Sequence, residues 1–307
     1  RVVSNPLKKK FYQQGKLHSF MSKYWYWLKY FLVSSLSLLI ILGGTQMGRT
    51  RIPTLNILAT AVNTQAQQAQ LLTEKGHRQL NQGRAAVSLQ TWQEATKIYQ
   101  QLGNNEGVTG SLINQSMALK AEGLYPRACK TLIQALELES WLCEPIGQDE
   151  LNLEKPKTPL AEVLKQESNT PVVVAGFQSL GDVLRLIGKP DESEIVLQQA
   201  LLMAKSQKLE RDIDDILLSL ANTQTTLYRR AQDRYQITEE PLAKDKLQWL
   251  AQDKASMALK LYQQVANSQQ SGEALQAQLN QLRLILEMEQ WTASEAKTNS
   301  VLKTLHS

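Results

Sequence analysis

Three glycines constrain this chain more than any other feature: Gly83, Gly123 and Gly188. Five residues after each comes a small residue (Ser88, Ala128, Ser193). Four further on stands a large apolar one (Trp92, Leu132, Leu197), and three more bring an alanine (Ala95, Ala135, Ala200). Self-similarity at fixed offsets marks an architecture of stacked units, each too small to bury its apolar face alone.

Each unit reads as helix, tight turn, helix. The apolar spacing of Leu112–Leu119 suits one helical face, and Gly123 stops it by tolerating the left-handed conformation. Pro126 then sits where a first helical turn accepts proline. The second helix, about Pro126–Leu138, carries Ala128, Leu132 and Ala135 on one stripe. The small residues admit a close approach, and the large one fills the space between the paired helices.

The stretch LINQSMALKAEGLYPRACKTLIQALEL (Leu112–Leu138) resembles the tetratricopeptide repeat. LGDVLRLIGKPDESEIVLQQAL (Leu180–Leu201) and EKGHRQLNQGRAAVSLQTWQEATKIYQ (Glu74–Gln100) follow the same pattern, with Gly181 and Gly76 at the small first-helix position. A fourth, looser unit has Ala221 in its first helix and ASMALKLYQQVAN (Ala255–Asn267) in its second. A fifth, Leu279–Leu305, has Trp291 at the expected turn and Glu289 in place of glycine. The equivalent positions 76, 116, 181, 221 and 282 differ by 40, 65, 40 and 61. The unit is therefore nearer 40 residues than the family's 34, and two junctions hold insertions of roughly 20–25. The insertion at 141–171 carries Pro145, Pro156, Pro159 and Pro171 and reads as a loop with one short helix near Leu160–Glu167. The charged one at 233–246 contains Pro241 and joins two lengthened helices. The expected fold is all-α: a superhelix of antiparallel helix pairs over residues 62–307, preceded by a hydrophobic leader. The strand-like run Val172–Val174 is read as the start of a helix leading to Gly181.

Residues 21–61 read as that leader. Lys23 and Lys29 flank Phe31–Leu42, an apolar run closed by Gly43–Gly44, the order of an export signal. The run is shorter than the roughly 20 residues of a spanning helix. Ala59-Thr60-Ala61 has the small-x-small form that a signal peptidase reads, so the segment is either cleaved there or kept as an anchor. Seven basic residues precede the run and two follow closely, which keeps the N-terminus cytoplasmic and sends the repeats out of the cytoplasm. Residues 1–20 read as an upstream extension with no foldable pattern.

The basic balance belongs to the leader. Residues 1–51 hold nine of the 34 basic residues and none of the 29 acidic ones, so the rest holds 25 against 29, a net of −4. That sign excludes a nucleic-acid surface. Cys129 and Cys143 read as two buried or idle thiols: fourteen residues of helix span about 21 Å and a disulfide needs Cα atoms within about 7 Å, so a bridge would require the chain to fold back after Leu138.

The residues offer no chemistry. His77 is the only histidine between the leader and the tail, so no zinc spacing forms. Gly103, Gly107 and Gly110 lack the lysine of a phosphate loop and read as a turn between units. Asp212, Asp214 and Asp215 sit at a helix start, where the helix dipole favours acids. The expectation is therefore no enzyme, no metal and no cofactor.

What remains is a groove. The resemblance implies that first helices line a concave face through set positions of each unit. Mapped onto this chain they are Thr73 and His77; Asn114, Met117 and Lys120; Gln178, Asp182 and Arg185; Asn222 and Thr225; and Asn280. A protein or peptide partner held by side-chain amides is expected there. The leader, the 40-residue units and the LGDVLRLIGKPDES and NQLRLILEMEQW stretches together also resemble the N-terminal part of bacterial CHAT-domain proteins. That resemblance implies a second reading, the regulatory half of a caspase-like protease, whose catalytic domain would be a partner in cis or trans. Val301, Leu302 and Leu305 are expected to leave the last helix apolar, to be covered by a neighbour or by self-association.

Overall fold

The computed structural model describes residues 53–144, 159–165, 169–268 and 272–305, with side chains placed between 64 and 294. Arg1–Ile57 and Leu58–Ser307 form separate units, and the helices below belong to the second from Leu58 onward. Residues 1–52, with the apolar run and its flanking lysines, lie outside the described residues. No described helix is long and apolar enough to cross a membrane.

Every regular element among the described residues is helical. In chain order they are α1 (Pro53–Asn81), α2 (Ala85–Gln101), α3 (Asn105–Ala121), α4 (Tyr125–Ala135), a 3-10 turn (Ser140–Cys143), α5 (Leu160–Leu164), α6 (Pro171–Leu186), α7 (Pro190–Gln207), α8 (Glu210–Ile237), α9 (Pro241–Ala266) and α10 (Ala274–Leu305). Val172–Val174 lie in the first turn of α6, whose Thr170 cap accepts from the Val173 N–H. The charged stretch around Pro241 is a short link between α8 and α9, the most extensively paired helices of the chain.

Successive helices pack in pairs and each pair stacks on the next. The turn at Gly123 shows how a pair closes. Its φ of 74° is left-handed, and Leu124 N–H reaches back to the Leu119 carbonyl at 2.9 Å, closing the end of α3. Gly83 and Gly188 repeat this at φ 73° and 87°.

The repeat offsets become packing. Ser88, Ala128 and Ser193 are fully buried, as are Trp92, Leu132 and Leu197. A Cβ added at Gly76 would lie 2.3 Å from the Trp92 ring, and one at Gly181 would lie 2.4 Å from Leu197 Cγ. In these two pairs the large residue of the second helix thus lies directly on the bare backbone of its own first helix. The Trp92 indole N–H also donates to the Thr73 carbonyl at 3.1 Å. One apolar cluster runs from α3 to α8, and a second joins α8, α9 and α10. Helix α8 feeds both, Ile216 and Leu220 to the first and Leu217, Ala221 and Tyr228 to the second.

Two expectations fail here. Cys129 and Cys143 form a disulfide, with Cα atoms 5.7 Å apart. Helix α4 stops at Ala135, Glu137 takes a left-handed φ of 53°, and the 3-10 turn carries Cys143 back. The helical separation assumed from sequence therefore does not apply. Lys189 holds the same turn, its ammonium donating to the Trp141 and Leu142 carbonyls at 3.1 Å. Burial holds that lysine below its ordinary pKa, against the pull of Glu192 and Glu144. The second failure is the fifth hairpin. No turn interrupts α10 at Trp291, because the segment from Glu287 to Ala293 contains neither glycine nor proline. Leu282, aligned with the small position, is 55% exposed, and the small buried residue of α10 is Ala277.

Candidate functional site

The first helices α6, α8 and α10 line two adjoining polar clefts. One, of about 110 Å³, is bounded by Arg185, Asn222, Thr225, Arg229, Asn280 and Arg283, with Tyr262 of α9 beneath. The other, of about 260 Å³, is bounded by Gln178, Asp182, Asp215, Ser219 and Glu273. Arg185 and Asn222 belong to both. On α8 the lining residues recur at Asp215, Ser219, Asn222 and Arg229, one face of a 3.6-residue helix.

The floor is a hydrogen-bonded amide cluster. Asn222 Oδ1 accepts from the Tyr262 hydroxyl at 2.8 Å and from Asn280 Nδ2 at 2.9 Å. Thr225 lies 3.1 Å from the same hydroxyl and donates to the Ala221 carbonyl at 3.0 Å when its proton points there. Burial raises the Tyr262 pKa, partly offset by its Thr225 hydrogen bond, so it stays a neutral hydroxyl. These bonds fix both asparagines while leaving amide edges on the cleft.

Charge divides the two clefts. Arg229 binds Glu287 in bidentate fashion at 2.9 and 2.8 Å, and Arg283 reaches the same carboxylate at 3.1 Å. Burial resists ionisation of Glu287, but the two guanidiniums outweigh it and its pKa is lowered. Two guanidiniums therefore share one carboxylate. Arg185 has no ion-pair partner among the described residues, and its Nε is buried with no hydrogen-bond acceptor. Buried donors are seldom left unmet, and each costs about 1–3 kcal/mol. The neighbouring cleft is acidic. Burial, then Glu273, Asp212 and Asp214, push Asp215 up to about 6. Asp182 faces it but is held by Lys120 at 3.0 Å, a bridge from α3 to α6.

Of the residues expected from sequence, Gln178, Asp182, Arg185, Asn222, Thr225 and Asn280 line these clefts. Lys120 joins them through Asp182. Asn114 and Met117 lie half-buried on α3, outside both linings. Thr73 and His77 lie on α1 and serve packing. Thr73 donates to the Ala69 carbonyl, and His77 meets Trp92 edge-on with ring centres 5.1 Å apart. Burial holds His77 below its ordinary pKa. Sequence reasoning missed Arg229, Tyr262, Arg283 and Glu287. The available signal was the heptad step from Asn222 to Arg229, which keeps both on one face of α8. Among the described residues no group of three or more ligating side chains is placed to hold a metal ion.

No protein-family model and no curated protein matches the chain. Among solved structures it is similar to the nearly identical TPR-like repeats of a Podosopora anserina chain described as a kinesin light chain. The identity is 14% and the TM-score 0.41, over 75% of this chain and 95% of that one. A glutamine-to-methionine variant of that protein matches at the same identity and TM-score, over 75% and 96%. By its own geometry, glycine-closed helix pairs that stack in succession, the described part of the chain has a TPR-like fold of antiparallel helix hairpins.

Proposed function

We propose that the chain is an interaction scaffold that holds an extended segment of a partner protein along α6, α8 and α10. The observation that carries this is Arg185, a guanidinium shared by two polar clefts with no ion-pair partner among the described residues. An acidic side chain of the partner would pair with the part of the guanidinium that lines the clefts, with Asn222 and Asn280 beside it. The acidic cleft around Asp215 takes a basic residue next in line, so a peptide alternating acid and base fits the charge pattern.

The test uses the full chain against an immobilised array of extended peptides in which Glu and Lys positions are permuted. Binding by Glu-Lys peptides, weakened at least about tenfold by Arg185→Gln and by raised salt, is the expected result. Peptides retained equally by native and Arg185→Gln protein would overturn it.

We further propose that the repeats work outside the cytoplasm, exported or tethered by the leader. The lysine-flanked apolar run and the Cys129–Cys143 bridge support this, since disulfides persist in oxidising compartments. N-terminal sequencing of the chain recovered from its cell envelope, with thiol alkylation before and after reduction, tests it. Free thiols in a cytoplasmic fraction would refute it.

A further inference from the structure

In the smaller cleft the amide acceptors are occupied and the donors are not. Asn222 Oδ1 accepts from both Tyr262 and Asn280, and Asn280 Oδ1 accepts from Gln276 at 2.8 Å. The Asn222 amide nitrogen has no partner among the described residues. Arg229 uses Nε and Nη2 on Glu287, which leaves Nη1. Arg283 uses only Nε, which leaves both terminal nitrogens. Arg185 borders the cleft with no ion pair among the described residues. A guanidinium has five N–H donors and no acceptor, so a ligand that satisfies this lining must bring several acceptors.

Charge narrows the choice. Three guanidiniums border the cleft, and Glu287 is the carboxylate that pairs with two of them. The lining is left with two positive charges. Asp215 and Glu273 border the neighbouring cleft instead, and Asp182 there is tied to Lys120. Burial raises the pKa of the Tyr262 hydroxyl on the floor, while Arg229 and Arg185 both pull it down, so two of the cations converge on one point. A carboxylate brings one charge and two oxygens. A phosphate monoester brings nearly two charges and three strong acceptor oxygens, which guanidinium forks match in pairs. The volume, about 110 Å³, lies well under the roughly 300 Å³ at which pockets for whole small molecules begin. It suits one projecting group.

We infer that the acidic group held between Arg185, Arg229 and Arg283 is a phosphate monoester, carried on the partner segment. The carrier rests on the scaffold reading above. The preference of the cleft for phosphate does not, and the free ion reports it alone.

The test gives the full chain three probes: inorganic phosphate, and two peptides of one Glu-Lys sequence with either Glu or phosphoserine at the acidic position. The phosphoserine peptide should bind at least about tenfold tighter than the Glu peptide, and inorganic phosphate should displace it. Arg185→Gln should weaken the phosphoserine peptide at least about tenfold. Arg283 is 74% exposed, so Arg283→Gln leaves the fold intact; it should bring the two peptides to within about twofold of each other. Arg127→Gln, exposed on α4, should change neither. Equal binding of the two peptides by the native chain would overturn the phosphate assignment and leave the scaffold standing. If neither peptide binds, the scaffold and the carrier fall together; phosphate still bound through Arg185 and Arg283 then keeps the site as one for the free ion, and phosphate left unbound overturns the site as well. A loss in Arg127→Gln as large as in Arg185→Gln would reduce the effect to general charge and overturn it too.

Discussion

Gly181→Ala tests the physical basis of the hairpins. The added Cβ would stand 2.4 Å from Leu197 Cγ, 2.6 Å from Cδ2 and 3.1 Å from Cδ1, where carbon atoms prefer about 3.5–4.0 Å. Leu197 is wholly buried and cannot swing into solvent, so α6 and α7 must part by about 1 Å or a rotamer must strain. Overpacking of this kind costs about 1–3 kcal/mol, and replacing a mid-helix glycine by alanine returns up to about 1 kcal/mol. The net expectation is a loss of about 1–2 kcal/mol, read as a lower urea midpoint at unchanged slope. Gly110 is the control: it is also helical, and a Cβ there meets nothing within 4 Å. Gly110→Ala should therefore stabilise by up to about 1 kcal/mol. Combining Gly181→Ala with Leu197→Ala should recover part of the loss, with a coupling of about 1 kcal/mol or more. If Gly181→Ala raised the midpoint as Gly110→Ala does, the close approach of α6 and α7 would be refuted.

Three other outcomes follow from the same contacts. Cys143→Ser should cost about 3 kcal/mol, the value for a loop of this size; reductant should lower the native midpoint and leave the variant unmoved, and an unresponsive native chain would contradict the bridge. Asp215 has a folded pKa raised to about 6, so the folded state binds the proton more tightly and loses stability as pH rises from about 4 through 6. With solvent screening discounted, Asp215→Asn should gain about 1 kcal/mol at pH 7.5 and nothing near pH 4, and an equal gain at both values would remove burial and repulsion as the cause. Trp92→Phe deletes the donor to the Thr73 carbonyl and should cost about 1–3 kcal/mol in a urea titration, while an unchanged midpoint would make that bond incidental.

The hairpins were legible because their rule is local. A glycine, a small residue and a large residue at fixed offsets survive stacking unchanged, so Gly181 meeting Leu197 could be anticipated from spacing. The disulfide was hidden by an assumed helix length: one left-handed residue, Glu137, turned the chain three residues early. The last unit misled for the opposite reason. Its pattern of apolar residues persists, yet no residue near Glu289 favours a turn, and the helix runs on. In the groove, the family-like positions found Arg185, Asn222 and Asn280, because those depend on the face of a single helix. Arg229, Tyr262 and Glu287 escaped because their roles arise between helices, where side chains from α8, α9 and α10 meet.

Helix α8 has a mechanical consequence. Its residues are divided between two apolar clusters that otherwise share little, so tension applied along the array passes through this single rod. Ion pairs reinforce it on one flank, with Arg230 on Asp191, while Glu194 of α7 gathers Gln224 of α8 and Lys254 of α9. A pull on the two ends should strip the outer hairpins one by one and reach this rod last, leaving α7, α8 and α9 as the final folded remnant.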